Sequence, residues 1–270
     1  MDITSLVPDI VPQTVSVGGF NILQSLIGWL IGTLVLLILL IVYRRLKVMR
    51  PYSGFVQWWD TLYDMMYQTL KNAAGKYVWP QALNFITTLF FFVLWQNIFG
   101  LLGDMIVLVW PAGHDVFRPL TTDLIANGVL AATALIFSVW YGFVLYGFGF
   151  LKKYFPIPEG MGIVTQINHR YDYILKFLDI LLWLLIGIIE LIGEFGKILS
   201  LSLRLFGNMF VGMILLILLL YATQSLLHIP LLGPIVIFAY EFAVSILQAF
   251  IFALLTAVYF RLAADHFAEA

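Results

Sequence analysis

The sequence predicts an all-α integral membrane protein with five membrane helices and one interfacial amphipathic helix. Three observations carry that expectation. Of the 270 residues, 62% are hydrophobic and only 11% charged, where soluble domains have about half and a quarter. Runs of roughly twenty apolar residues, the length that crosses ~30 Å of hydrocarbon, follow one another along the chain. Lys and Arg bunch between alternate pairs of these runs, as the positive-inside rule requires.

The same composition excludes several classes. A net charge of −1 without a basic tail gives nucleic acid nothing to bind, and with no Cys there are no disulfides and no thiolate chemistry. The first residues, MDITSLVPDIVPQ, are acidic and lack Arg. They resemble neither a secretory n-region nor a transit peptide.

The first span is expected over residues 22–43. Arg44, Arg45, Lys47 and Arg50 follow it, which places its C-terminal end inside and the N-terminus outside. In residues 51–76, Trp58, Trp59, Met65 and Met66 interleave with Asp60, Asp64 and Lys71. That mixture predicts an amphipathic helix at the inner interface, its Trp pair at headgroup level. A second span, 79–102, exits outward into a Pro- and Gly-punctuated loop whose one basic residue is Arg118. The third, 123–150, returns inward to Lys152 and Lys153, and a long loop follows to residue 176.

Residues 177–221 then stay apolar and helical in pattern without a Pro. An upright helix of about 45 residues would be ~67 Å long, over twice the hydrocarbon thickness. It either turns back as two spans or crosses once, steeply inclined, and the charges decide. With one crossing, 11 of the 14 Lys and Arg lie inside, one (Arg118) outside and two (Lys197, Arg204) within the membrane. The loop at 222–233 then lies outside without a basic residue, and the last helix, 234–260, returns inward to Arg261. The expectation is therefore an N-terminus outside, a C-terminus inside, and a long inclined hairpin at the end. Tilts average only ~20°, so such an incline needs neighbouring protein. No repeat or soluble segment interrupts the pattern, and residues 1–270 read as a single membrane domain.

Within the inclined helix, Glu190, Glu194, Lys197, Ser200, Arg204 and Asn208 are spaced 4, 3, 3, 4 and 4 apart and share one face. In the last helix, Glu241, Ser245 and Gln248 are spaced 4 and 3. Arg204 is the anchor, because a guanidinium cannot shed its proton and costs roughly 2.5–3.5 kcal/mol at mid-membrane even on the lenient insertion scale. Plainer alternatives stand beside a functional stripe. Glu194 and Lys197 could be a self-neutralising ion pair, and Ser200 could bond back to its own helix. Asn208 and Gln248 could be ordinary interhelical hydrogen-bonding residues, and Arg204 could simply pair with Glu241. The topology adds that carboxylates occur on both sides of a fixed cation, Glu190 towards the inside and Glu241 towards the outside. A fixed cation blocks direct passage of a proton or metal cation but leaves two offset pockets, joined by something that carries a carboxylate past it.

The segments LSLSLRLFGNMFVG (199–212) and LQAFIFALLTAVYF (247–260), with NIFGLLG (97–103) and PLTTDLIANG (119–128), resemble the a-subunit family of F-type ATP synthases, in its order and along essentially the whole chain. The resemblance implies a stator-side proton channel of two offset half-channels, with no covalent chemistry and no cofactor or metal. Its implied partners are the c-subunit ring, the peripheral-stalk b subunits, other synthase subunits and lipid. Arg204 would face the ring carboxylate and separate the half-channels. Asn208, Glu241 and Gln248 would line the outer half-channel, with Asp123 and Asn127 near its mouth, and Glu190 would line the inner one. Lys197 and Ser200 match positions often polar in the family, while Glu194 and Ser245 are secondary candidates from the stripe alone. The implied location is a bacterial plasma membrane, ahead of a mitochondrial or thylakoid one.

One position departs from the family pattern. Nine residues after the Arg, the family usually carries Glu or His, and here Met213 stands there. Water, Asp123, or His114 and Asp115 of the outer loop are the candidates to replace it. The competing reading, a free-standing ion-coupled secondary transporter, calls for inverted repeats or helices broken at mid-membrane, and the sequence shows neither. An intramembrane hydrolase would need a Ser/His pair or a metal cluster, whereas all four His (114, 169, 228, 266) fall in loops or near the termini.

Overall fold

A computed structural model describes residues 14–17, 20–109, 124–153, 172–227 and 232–265. Six α-helices make up most of it: α1 (Gln24–Met49), α2 (Gly54–Ala74), α3 (Pro80–Val109), α4 (Leu124–Tyr146), α5 (Asp172–Leu227) and α6 (Leu232–Asp265). All except α2 contain a stretch long and apolar enough to cross a membrane. The all-α class holds, and ahead of α1 two short strands, β1 (Thr14–Val17) and β2 (Phe20–Leu23), pair antiparallel. The sequence between them is Gly-Gly, a favoured dipeptide for two-residue hairpins. Ile22, expected to open the first span, therefore belongs to β2, because hydropathy alone does not separate a short apolar strand from the helix after it.

Of the other elements, α1, α3 and α6 extend past their expected ends, to Met49, Val109 and Asp265, whereas α2 and α4 fall within the expected bounds. Helix α1 continues through Arg44, Arg45 and Lys47 to Met49, and α4 passes into a 3-10 segment, Gly147–Lys153. Helix α5 is a single element of 56 residues, about 84 Å of continuous helix. The expected loop at 222–233 is correspondingly shortened, because α5 runs to Leu227 and α6 begins at Leu232.

The core lies where α3, α4 and α6 meet, with α2 across one end and α5 along one side. Its fully buried residues include Ile86 and Val93 of α3, Ala131 and Ala134 of α4, Leu201 and Leu205 of α5, and Ala249, Phe252, Ala253 and Ala257 of α6. Small residues at 249, 253 and 257 recur one turn apart, the pattern that lets helices approach closely without a hydrophobic driving force. Two buried hydroxyls are satisfied within their own helices: Thr87 donates to the Leu83 carbonyl at 2.8 Å and Thr256 to that of Phe252 at 2.9 Å.

Helix α2 ends at Gly75, whose φ of +80° suits glycine, and its N–H bonds back to the Lys71 carbonyl at 3.1 Å. Val56, Leu70 and Ala74 are its buried face. Helix α1 docks on α3 through Trp95 Nε1, which donates to the Gly32 carbonyl at 2.8 Å, and Gln96 Nε2, which donates to Thr33 Oγ1 at 3.0 Å. It docks on α2 through Lys47, 2.8 Å from Asp60 Oδ1, and through Tyr43, whose hydroxyl donates to the same carboxylate. Hydrogen bonds from Lys47, then Tyr43, hold the Asp60 carboxyl below its ordinary range.

Candidate functional site

Residues 204, 208 and 212 lie four apart on α5, so their side chains share one face, opposite which α6 presents Glu241, Ser245 and Gln248. Between the helices is a cavity of about 320 Å³. Its lining includes the polar residues Arg204, Asn208, Tyr240, Glu241, Ser245, Gln248 and Asn97. Glu241, Ser245 and Gln248 are buried, whereas Arg204 is exposed on the surface of the chain.

Several contacts fix this geometry. Asn208 Nδ2 donates to Gln248 Oε1 at 3.1 Å, a direct tie between α5 and α6. The Glu241 side chain folds against bare backbone at Gly212: a Cβ there would stand 2.7 Å from Glu241 Cδ and 3.1 Å from Cγ. Any larger residue at 212 would displace the carboxyl, so glycine is required for the close approach. Among the described residues, no ion pair joins Arg204 to a carboxylate, although Arg204 and Glu241 line one cavity. The plain Arg204–Glu241 pair is therefore not what the chain builds.

The rest of the stripe falls elsewhere. Lys197 Nζ lies 2.9 Å from Glu194 Oε1 and 5.1 Å from the centre of the Tyr259 ring, so the i,i+3 ion pair forms, with a cation–π contact added from α6. Glu190 is half-buried and Ser200 exposed, and neither lines the cavity. Asn127 is buried on α4 without reaching the cavity, and its neighbour Gly128 faces the Ser202 hydroxyl of α5. Asp123, His114 and Asp115 lie outside the described residues, as does the side chain of Met213.

Two cavity residues escaped the sequence reading. Asn97 stands in an apolar helix with no polar partner at helical spacing towards the site. Gly212 is one glycine among 21, and only the position of Glu241 gives it a role. Both had a signal in hindsight, since each lies inside a segment that carried the family resemblance.

The arrangement offers a permanent cation at the protein surface, a titratable carboxyl behind it and amide and hydroxyl groups between. It can exchange protons and hold water. Among the described residues no group of His, Cys, Asp and Glu could hold a metal ion.

Comparison with known proteins agrees with this chemistry. The family model described as ATP synthase A chain matches residues 25–261. The ATP synthase subunit a of Rhizobium rhizogenes strain K84 is 30% identical over 214 residues, covering 74% of this chain and 71% of that one. The subunits a of Brucella ovis and Brucella canis are each 30% identical over 211 residues, covering 74% of this chain and 72% of theirs. The match reaches from α1 to Arg261 and takes in the whole α5–α6 site, so the chain belongs to the ATP synthase A chain family.

Proposed function

We propose that this chain is the stator-side proton channel of a bacterial F-type ATP synthase, without covalent chemistry of its own. Two offset half-channels load and unload protons on the carboxylates of a c-subunit ring, and Arg204 separates them. The observation that carries the reading is Arg204 itself: a charge that cannot titrate, exposed at the rim of a cavity whose inner wall holds Glu241, Ser245, Gln248 and Asn208.

In hydrocarbon that exposure is tolerable only if another polypeptide or water meets the guanidinium. A carboxylate arriving within about 4 Å gains roughly 4 kcal/mol at an effective dielectric of 20, equal to about three pKa units. A protonated ring carboxyl passing Arg204 therefore gives up its proton to the half-channel it is leaving. It is reprotonated from the other half-channel once the ring has moved on. The α5–α6 cavity with Glu241 is the outer pocket, and Glu190, Glu194 and Lys197 border the inner one. Asp123 and Asn127 stand near the outer mouth in this scheme.

The membrane frame follows from the charge distribution. The N-terminus is outside the plasma membrane, the C-terminus in the cytoplasm, and α2 lies at the inner interface with Trp58 and Trp59 at headgroup level. The apolar stretch Leu181–Leu226 of α5 spans 46 residues, ~69 Å of helix against ~30 Å of hydrocarbon. It crosses obliquely, leaning on α6 and the ring, within a single membrane domain. The b subunits and the remaining synthase subunits complete the assembly.

The test uses assembled synthase in inverted membrane vesicles. Arg204→Ala should abolish ATP-driven proton uptake while passive conduction persists once the soluble sector is stripped away. Arg204→Lys should retain little, because an ammonium lacks the planar, weakly hydrated fork. Normal pumping by either variant would refute the proposal.

A further inference from the structure

Away from the α5–α6 site, positive charge gathers where α1 meets α2. Residues 24–76 hold six basic side chains against two acidic ones, Asp60 and Asp64, and four of the six fall between residues 44 and 50. Lys47 is neutralised in place: it lies 2.8 Å from Asp60 Oδ1 and, with Tyr43, ties α1 to α2. Arg44, Arg45 and Arg50 are exposed and, among the described residues, have no carboxylate partner. The Arg50 N–H still bonds to the Leu46 carbonyl at 2.7 Å, so helical geometry carries to the end of the cluster. At 3.6 residues per turn, the three arginines point about a third of a turn apart around α1.

The surfaces beside the arginines are apolar and bare. Before them on α1, Leu37, Ile38 and Ile41 are exposed. After them, the elbow and the first turns of α2 present Tyr52, Phe55 and Trp58, at 87%, 56% and 59% exposure. Unpaired cations between two uncovered apolar surfaces match an amphiphile with an anionic head and apolar tails. A guanidinium holds a phosphate through two parallel hydrogen bonds, and aromatic rings settle at headgroup depth. The positive-inside rule counts Lys and Arg alike, so orienting the chain does not by itself call for guanidinia. The surplus of cations also selects among lipids, because phosphatidylcholine cancels its phosphate with its own choline and an anionic lipid does not.

We propose that the α1–α2 elbow binds anionic phospholipid of the inner leaflet: Arg44, Arg45 and Arg50 hold the headgroup phosphates, and the tails lie along α1 and against Phe55 and Trp58. Lys47 serves differently, because its charge is spent on Asp60 in fixing the elbow. The inference uses the proposed membrane frame and goes beyond the channel reading, since binding is measured without pumping.

The test is made on the assembled synthase in vesicles that mix phosphatidylglycerol with phosphatidylcholine. Each lipid in turn carries a photoreactive group at the top of one acyl chain, and the cross-linked residues are located by mass spectrometry. Phosphatidylglycerol should label residues 44–58 in preference to phosphatidylcholine. Unlabelled phosphatidylglycerol should displace it, and inorganic phosphate should not. Arg44→Gln, Arg45→Gln and Arg50→Gln each leave three basic residues to keep the topology. Each should lower the preference about fivefold, the equivalent of ~1 kcal/mol per basic residue near the surface. Lys71→Gln, at the far end of α2, should leave the preference unchanged. Equal labelling by the two lipids would overturn the inference, as would an unchanged preference in all three arginine variants or an equal loss in Lys71→Gln. Displacement by inorganic phosphate would make the cluster a site for a free anion, and no labelling at the elbow would mean that another polypeptide covers it; either result also overturns the proposal. Where a variant does not assemble, the competition between lipid and phosphate on the wild-type synthase decides.

Discussion

The two halves of α6 bury opposite kinds of residue. From Leu232 to Gln248 the buried side chains include Glu241, Ser245 and Gln248, while Ile235, Val236, Tyr240, Phe242, Ile246 and Leu247 point outward at 41–66% exposure. From Ala249 to Ala264 the buried set is Ala249, Phe252, Ala253, Thr256, Ala257, Phe260, Ala263 and Ala264, none above 4% exposure. Lipid is as apolar as Leu, so hydrophobicity does not sort the inside of a membrane protein from its outside, and size and polarity do. The polar half also leaves atoms of Glu241 and Gln248 without partners, whereas the one buried hydroxyl of the second half, Thr256, is satisfied by its own helix. In the proposed channel the polar half is the one that exchanges protons with whatever fills the cavity. The other is built to hold still.

The largest effect should come from removing titration in the polar half without changing its shape. Glu241→Gln keeps the volume and the possibility of hydrogen bonding but cannot accept a proton. ATP-driven proton uptake should fall by roughly a hundredfold or more, the scale of losing a positioned proton-transfer group, with normal amounts of chain in the membrane. Near-normal uptake would show that water alone carries protons through the cavity and that the carboxyl behind Arg204 is only structural.

How much of this was legible beforehand follows from the same contrast. Span positions were readable because a helix in lipid needs an uninterrupted apolar run, but hydropathy marks the edge of the apolar run and not the end of the helix, and α1 runs on through Arg44, Arg45 and Lys47 to Met49. Ile22 is apolar whether it pairs in β2 or opens α1. The α6 stripe was readable because Glu241, Ser245 and Gln248 repeat at helical spacing on one element. The full cavity was not, because Asn97 comes from α3, more than a hundred residues away from Arg204 in sequence. Spacing along one helix says nothing about a residue on another. Gly212 was invisible for a related reason: its function is the absence of a side chain where a neighbouring helix projects one. Conversely, Ser200 shares the periodicity of the stripe but stays exposed, since a face of a 56-residue helix is wider than any one site on it.

A smaller effect, and a sharper one, is expected at Gly212. In Gly212→Ala the new methyl would meet Glu241 Cδ at 2.7 Å, closer than any relaxed contact, so the carboxyl must move. Displacement on that scale should slow proton uptake between about tenfold and a hundredfold. Combining it with Glu241→Asp shortens the acid by one methylene and relieves the clash. The double variant should be faster than either single variant, a coupling of about 0.5–3 kcal/mol between residues in contact. Strictly additive losses would mean that the two residues do not touch in the working enzyme.

The smallest effect on transport should come from the dry half, where the response is expected in stability. Ala253 is fully buried between small neighbours one turn away on either side, so Ala253→Leu forces α6 off its partners at a cost of roughly 1–3 kcal/mol. It should lower the thermal stability of the assembled chain, and the complexes that do form should pump at close to the normal rate. Leu247→Ala, on the outward face of the polar half, should leave the stability of this chain within about 0.5 kcal/mol, as for exposed positions generally. If Ala253→Leu instead cut the rate per assembled complex as deeply as Gly212→Ala, the division of α6 into a conducting half and a rigid half would be wrong. Proton transfer would then depend on the whole helix.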